Sequence, residues 1–161
     1  MEIGVANESE IDGIVTLQEA NQPERGGTLS ARFSREKILA MMQDLPLLVA
    51  REQGRVVAFL MTSSKTLNAD VAIIQAMLAA YPGAADAYVY GPICVAAEAR
   101  GKGVAQALFC EVKRLLPGRE GILFIRSDNP ASLRAHEKMG MAEVATFGFN
   151  GQDHAVLSYW G

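Results

Sequence analysis

The positions best suited to chemistry lie in one stretch, Val95-Ala96-Ala97-Glu98-Ala99-Arg100-Gly101-Lys102-Gly103-Val104-Ala105. An apolar run ends there, a glycine-containing turn follows, and an amphipathic helical pattern begins at once. The first amides of a helix have no intrahelical partners and sit at the positive end of its dipole, which suits a phosphate or pyrophosphate. Gly101, Gly103 and Ala105 are small enough to let the backbone approach such a ligand, and Arg100 and Lys102 add positive charge. Two common phosphate signatures are absent: G-x-G-x-x-G fails at Gln106, and G-x-x-x-x-G-K-[ST] does not occur. On these residues alone, a glycine-rich turn that binds nothing stays open as a reading.

A second stretch, Asn129-Pro130-Ala131-Ser132-Leu133-Arg134-Ala135-His136-Glu137-Lys138-Met139-Gly140-Met141, carries a helix start and a histidine. Histidine can donate a proton or a hydrogen bond near neutral pH. His136-Glu137 is not a zinc signature, because Gly140 stands where H-E-x-x-H needs its second histidine. The two cysteines, Cys94 and Cys110, form no CxxC pair, so no metal site and no disulfide framework is expected. Apolar neighbours should raise the Cys94 thiol pKa, which disfavours it as a nucleophile, and Cys110 reads as a small core residue on its helix. From Arg100 to Lys138 there are eight basic against four acidic side chains, in a chain of net charge -3. That local excess fits a small anionic ligand and excludes a long nucleic-acid track.

Together the two stretches resemble the GCN5-related N-acetyltransferase (GNAT) family. Arg100 to Ala105 matches the acetyl-CoA signature R/Q-x-x-G-x-G/A, and Asn129 to Met141 looks like the N-x-x-S/A-x-x-x-Y-x-K-x-G-F element. His136 takes the place of that tyrosine, as in phosphinothricin-type acetyltransferases. The resemblance implies an acyl-CoA N-acyltransferase fold of mixed α/β type, with a mostly antiparallel central sheet flanked by helices. It implies acetyl-CoA as cofactor and CoA as product. Ile93, Cys94 and Val95 would pair with the pantetheine arm. The amides of Arg100, Gly101, Lys102, Gly103, Val104 and Ala105 would hold the pyrophosphate, and Asn129 and Ser132 would face the thiol end. The implied mechanism is direct attack of a neutral amine on the thioester, with His136 as the acid for the leaving thiolate. Glu98 is the carboxylate nearest the strand end and a candidate base, although a solvated surface role competes. Tyr88 and Tyr90 alternate onto one strand face and could line the acceptor pocket or a water path. Glu19, Asn21 and Arg25 are acceptor candidates by position only. A small-molecule primary amine is the expected partner. A non-catalytic CoA-binding module of the same fold and a protein N-acetyltransferase are the alternatives.

Elements that could position these residues follow from the pattern. Asn7 and Glu10 form a capping box before an apolar stripe, and Ser34 can cap a second helix that stops before Pro46. Leu47–Ala50 and Val56–Met61 read as a hairpin. Asn68 can cap a helix over Ala69–Tyr81, whose nearly all-round apolar character demands burial in a core, a lid or a homodimer interface. Ala87–Val95 reads as a long strand with a break at Gly91-Pro92, and Gly103–Leu116 as an amphipathic helix. Ile122–Arg126 is a strand, Ala131–Met139 a helix closed by Gly140, and Ala142–Phe149 and Ala155–Tyr159 a hairpin turned by Asn150-Gly151. The 161 residues, half of them hydrophobic, fit a single domain spanning 1–161. No signal peptide or apolar run of membrane length is visible, so a cytoplasmic protein is expected, with no membrane partner.

Overall fold

Local signals set most of the elements. The computed structural model describes residues 1–161 except 28 and 30. Seven strands follow the order β1-β2-β3-β4-β5-β7-β6. β1 with β2, β2 with β3, β5 with β7 and β6 with β7 pair antiparallel, and β4 with β5 pairs in parallel. Two compact units make up the chain: Met1–Thr62 with Gly91–Leu115, and Ser63–Tyr90 with Leu116–Gly161.

In the first unit, the capping box of Asn7 and Glu10 closes a one-turn helix over Glu8–Glu10 that leads into α1 (Ile11–Ala20). Ser34 caps α2 (Arg35–Asp44), its hydroxyl oxygen accepting from the Lys37 amide at 3.1 Å. α1 packs on α2. β2 (Leu48–Glu52) and β3 (Arg55–Ser64) form the expected antiparallel hairpin, turned at Gly54 with a left-handed φ of 76°. β1 (Glu2–Val5) pairs with β2 and escapes pattern reading, because four residues with only Ile3 and Val5 apolar make too short a run. α4 (Val104–Leu115) packs on β1 and β2 through Val104, Leu108, Phe109 and Val112. Cys110 corrects an expectation: it is exposed, because the buried stripe of α4 lies on the opposite side of the helix.

The second unit is built on β5 (Glu120–Arg126), β6 (Ala142–Phe149) and β7 (Gln152–Trp160), with β7 antiparallel to both neighbours. β4 (Tyr88–Val95) begins here and pairs in parallel with β5 at Tyr88 and Val89. The strand carries through Gly91-Pro92, whose peptide bond is cis. Asn68 does not cap α3, which spans Ala72–Ala80. Its side-chain amide instead donates to Ser63 Oγ and to the Ser64 carbonyl, both at 2.8 Å, so the helix starts later. α3 buries Ile74 and Met77 in a cluster with Val89, Ile122 and Val156. Ala72, Gln75, Ala79 and Ala80 stay exposed, so the helix is one-sided and its all-round apolar look came from alanines. Glu120, buried, then pins the segment after α3. Its carboxylate accepts from Tyr81 Oη at 2.7 Å, from the Ala84 amide at 2.7 Å and from Ser158 Oγ. Burial alone would raise its pKa, but those hydrogen bonds outweigh burial and hold it below the ordinary carboxylate value. α5 spans Pro130–Lys138 and Gly140 ends it with φ 99°. Among the described residues, no helix is long and apolar enough to cross a membrane.

Candidate functional site

In the first unit, β4 leads through a one-turn helix at Ala97–Ala99 into the turn that opens α4. Gly101 and Gly103 adopt φ of 75° and 77°, the left-handed region that L side chains avoid. A Cβ at either position would meet nothing within 4 Å. Both glycines therefore face open space, and the turn is a cradle whose free volume lies next to the unpartnered first amides of a twelve-residue helix. Lys102 between them is exposed. An anionic diphosphate fits this donor set and this room. Arg100 has a role that charge counting missed. Its Nε donates to the Val95 carbonyl at 3.1 Å and its Nη2 to Asn21 Oδ1 at 2.7 Å, so the guanidinium braces the turn from behind.

Ile93, Cys94 and Val95 form the end of β4, where the Ala96 amide still donates to the Val57 carbonyl at 2.8 Å. Burial pushes the Cys94 thiol up to about 11, with Arg100 opposing weakly. A thiol that protonated at neutral pH is a poor nucleophile, which speaks against a covalent acetyl-cysteine. Glu98 is exposed and ion-paired with Arg55 at 2.9 Å. Glu98 and Arg55 also sit on the wall of a cleft of about 450 Å³ that runs along α1.

The second unit holds five more of the expected residues: Tyr88, Tyr90, Asn129, Ser132 and His136. Asn129 caps α5, its Oδ1 accepting from the Ser132 amide at 3.3 Å. His136 lies one helical turn after Ser132, and its Nδ1 is 2.8 Å from the Ser132 carbonyl oxygen. A carbonyl only accepts, so Nδ1 carries the proton and the neutral ring presents Nε2 as an acceptor. Tyr90 Oη lies 3.4 Å from that Nε2, and the rings meet edge-to-face at 5.7 Å. Tyr90 is 4% and His136 7% exposed. Burial raises the Tyr90 phenol well above its ordinary value, so it stays protonated, and burial lowers the His136 imidazole, which the Ser132 contact only partly offsets. Tyr159 lies edge-on to Tyr90 and shares a 2.5 Å hydroxyl contact with Tyr88. The Ser132–His136 spacing of four is legible on a helix. The Tyr90–His136 pair is not, because 46 residues separate them. Among the described residues no cluster of His, Cys, Asp and Glu could hold a metal ion.

The depressed His136 pKa has a consequence for stability. As pH falls through about 6.5, the ordinary histidine value, the unfolded chain takes up a proton at position 136 that the folded chain still refuses. Stability from this group is therefore present above that value and lost below it. Chemical denaturation from pH 7.5 to 5 should show a falling midpoint, with a shallower fall in His136→Gln. Equal slopes would contradict a neutral buried ring.

The sequence profile of the Acetyltransferase (GNAT) family matches residues 14–141, a span that runs through both units. The chain belongs to this family. It is an acetyltransferase, with acetyl-CoA as the acetyl donor. Solved structures share the fold at low identity. A GNAT-family acetyltransferase from Streptococcus agalactiae superposes with TM-score 0.76 at 17% identity, covering 99% of this chain and 95% of that one. The ribosomal-protein-alanine N-acetyltransferase of Brucella melitensis gives 0.71 at 18%, covering 100% of both chains. The yncA protein of Salmonella typhimurium, solved with its cofactor acetyl-CoA, gives 0.71 at 16%, covering 99% and 93%. No curated protein sequence matches the chain significantly.

Proposed function

We propose that the enzyme transfers an acetyl group directly from acetyl-CoA to the primary amine of a small molecule, working as one domain over its whole length. The observation that carries the cofactor half is the open, left-handed Gly101/Gly103 turn at the head of α4. The yncA structure, with acetyl-CoA bound in the same fold, supports it. The amides from Arg100 to Ala105 hold the pyrophosphate, Lys102 adds charge, and Arg100 keeps the turn in shape through Val95 and Asn21. Ile93, Cys94 and Val95 line the pantetheine arm, and Asn129 and Ser132 its thiol end. Acetyl-CoA supplies the acetyl group as an activated thioester and leaves as CoA.

The chain's own part is to handle one proton, which the amine must lose and the leaving sulfur must gain. Tyr90 holds a proton on Oη, and His136 holds one on Nδ1 and offers its Nε2 lone pair. Burial keeps both groups neutral at rest, so the pair can take up a proton and give it back. This places a hydroxyl beside the position where the family usually has its tyrosine. Donation from His136 alone would need the imidazolium, which burial disfavours. In this reading Glu98 stays outside the proton transfer, because its carboxylate is exposed and paired with Arg55. Glu98→Gln should leave kcat within about threefold, as for an exposed ion pair, and a loss beyond tenfold by steady-state kinetics would return it to the mechanism.

A slender primary amine suits a proton-handling pair this deeply buried. Thiol release from acetyl-CoA, followed across a panel of small primary amines and of peptides with free N-termini, tests the acceptor class. Turnover with a small amine supports the reading. Turnover with peptides alone would replace it with protein acetylation, and acetyl-CoA binding without transfer to any amine would leave a CoA-binding module.

A further inference from the structure

The end of α1 carries three buried amide side chains within five residues: Gln18 at 1% exposure, Asn21 at 7% and Gln22 at 4%. Buried amides need partners: Gln18 and Gln22 reach the chain that follows, Gln22 also donates back to the Gln18 carbonyl at 3.2 Å, and Asn21 reaches back to Leu17 and across to Arg100. Gln18 forms a two-way pair with Phe33, its Nε2 donating to the carbonyl at 2.9 Å and its Oε1 accepting from the amide at 2.8 Å. Gln22 Nε2 donates to the Ala31 carbonyl at 2.8 Å, and the Gln22 carbonyl accepts from the amides of Arg25 and Gly27. Asn21 accepts from the Leu29 amide on its own carbonyl at 3.1 Å and donates from Nδ2 to the Leu17 carbonyl at 2.9 Å. Its remaining side-chain atom, Oδ1, takes Arg100 Nη2 at 2.7 Å.

The cleft of about 450 Å³ separates one face of α1 from residues 96–98, with Asn21 on its wall. Among the described residues, the polar contact of Arg100 with Asn21 joins the turn directly to the helix end. It is charge-assisted on the arginine side and sheltered on the asparagine side, which makes it stronger than an exposed pair.

We infer that Asn21 is a positioning residue that couples occupancy of the diphosphate turn to the hydrogen bonding of the Gly27 and Leu29 amides. This rests on the proposed acetyl-CoA site. An anion held by the amides of residues 100–105 fixes the Arg100 backbone, and with it the guanidinium that Asn21 accepts from. Fixing Asn21 fixes the carbonyl that receives Leu29 and the helix end that carries Gln22. Part of the ordering cost of these amides is then met when the cofactor binds, and by reciprocity whatever orders them tightens the cofactor.

Amide hydrogen exchange on the full chain, with and without saturating CoA, tests this. CoA should slow exchange at Gly27 and Leu29 by about tenfold in the wild type, in the manner of a suppressed local opening. In Asn21→Ala, CoA should still bind, yet this slowing should fall to twofold or less. Asn21→Asp, which keeps an acceptor for Arg100, should restore it. Should Asn21→Ala not fold, Arg100→Lys keeps the charge but removes the forked reach, and it should show the same loss. Full slowing in Asn21→Ala or Arg100→Lys with CoA bound would overturn the coupling and leave the cofactor site standing. Absence of CoA binding in the wild type would overturn the cofactor site and the coupling together.

Discussion

Gly103→Trp should abolish measurable acetyl-CoA binding while the protein stays folded. The backbone at 103 has φ 77°, where a side chain costs about 1–2 kcal/mol. That is small against a typical stability of roughly 5–15 kcal/mol, and no protein atom lies within 4 Å of the new Cβ to resist it. Tm should therefore drop by only about 2–8 °C. The indole would fill the space that the cradle keeps open and cover the first amides of α4. Loss of the anion site should weaken binding at least about 100-fold, or about 2.7 kcal/mol. Calorimetry on the folded variant checks this. Binding within a few-fold of wild type would mean that the turn is a structural feature and the cofactor lies elsewhere.

His136→Phe should act on the other quantity. The ring sits edge-to-face with Tyr90, so phenylalanine keeps the shape and removes both nitrogens. Acetyl-CoA affinity should stay within about threefold, and kcat should fall by about 10²–10⁴-fold, the range for loss of a positioned acid–base group. Tyr90→Phe should cost a similar factor. The double variant should cost hardly more than either single one, because the two groups act on one proton. Steady-state kinetics across pH adds a second readout: the wild-type rate should fall on the acid side as His136 takes a proton on Nε2, and His136→Phe should lose that limb. Unchanged kcat in His136→Phe would make the ring a packing element. Multiplicative losses in the double variant would separate the two roles.

Most of the architecture was legible because it is locally encoded. Ser34, Asn129 and Gly140 each mark a helix end by a contact within four residues, and Gly54 and the Asn150-Gly151 pair mark hairpin turns. The misreadings have physical reasons. Asn68 looked like a cap, but its amide is spent backwards on Ser63 and Ser64, so α3 begins at Ala72. Cys110 looked like core on hydrophobicity, but on α4 it falls opposite Leu108 and Val112. β1 is too short for a periodic signal. At the site, the glycine turn and the Asn129 to Met141 element were readable as spacing. The Arg100–Asn21 and Tyr90–His136 contacts, 79 and 46 residues apart, exist only after folding. The direction of the His136 proton likewise depends on a backbone carbonyl, which no sequence pattern reports.

The most direct test of the central claim is calorimetric titration of the wild-type chain with acetyl-CoA, with CoA and ATP as comparison ligands. Acetyl-CoA and CoA should bind at micromolar strength or tighter, and ATP much more weakly, because ATP brings phosphates without a pantetheine arm for β4. Equal binding of all three would reduce the site to a general phosphate cradle. No binding of acetyl-CoA would contradict the account, and the acetyl-transfer mechanism built on Gly101, Gly103, Tyr90 and His136 would fall with it.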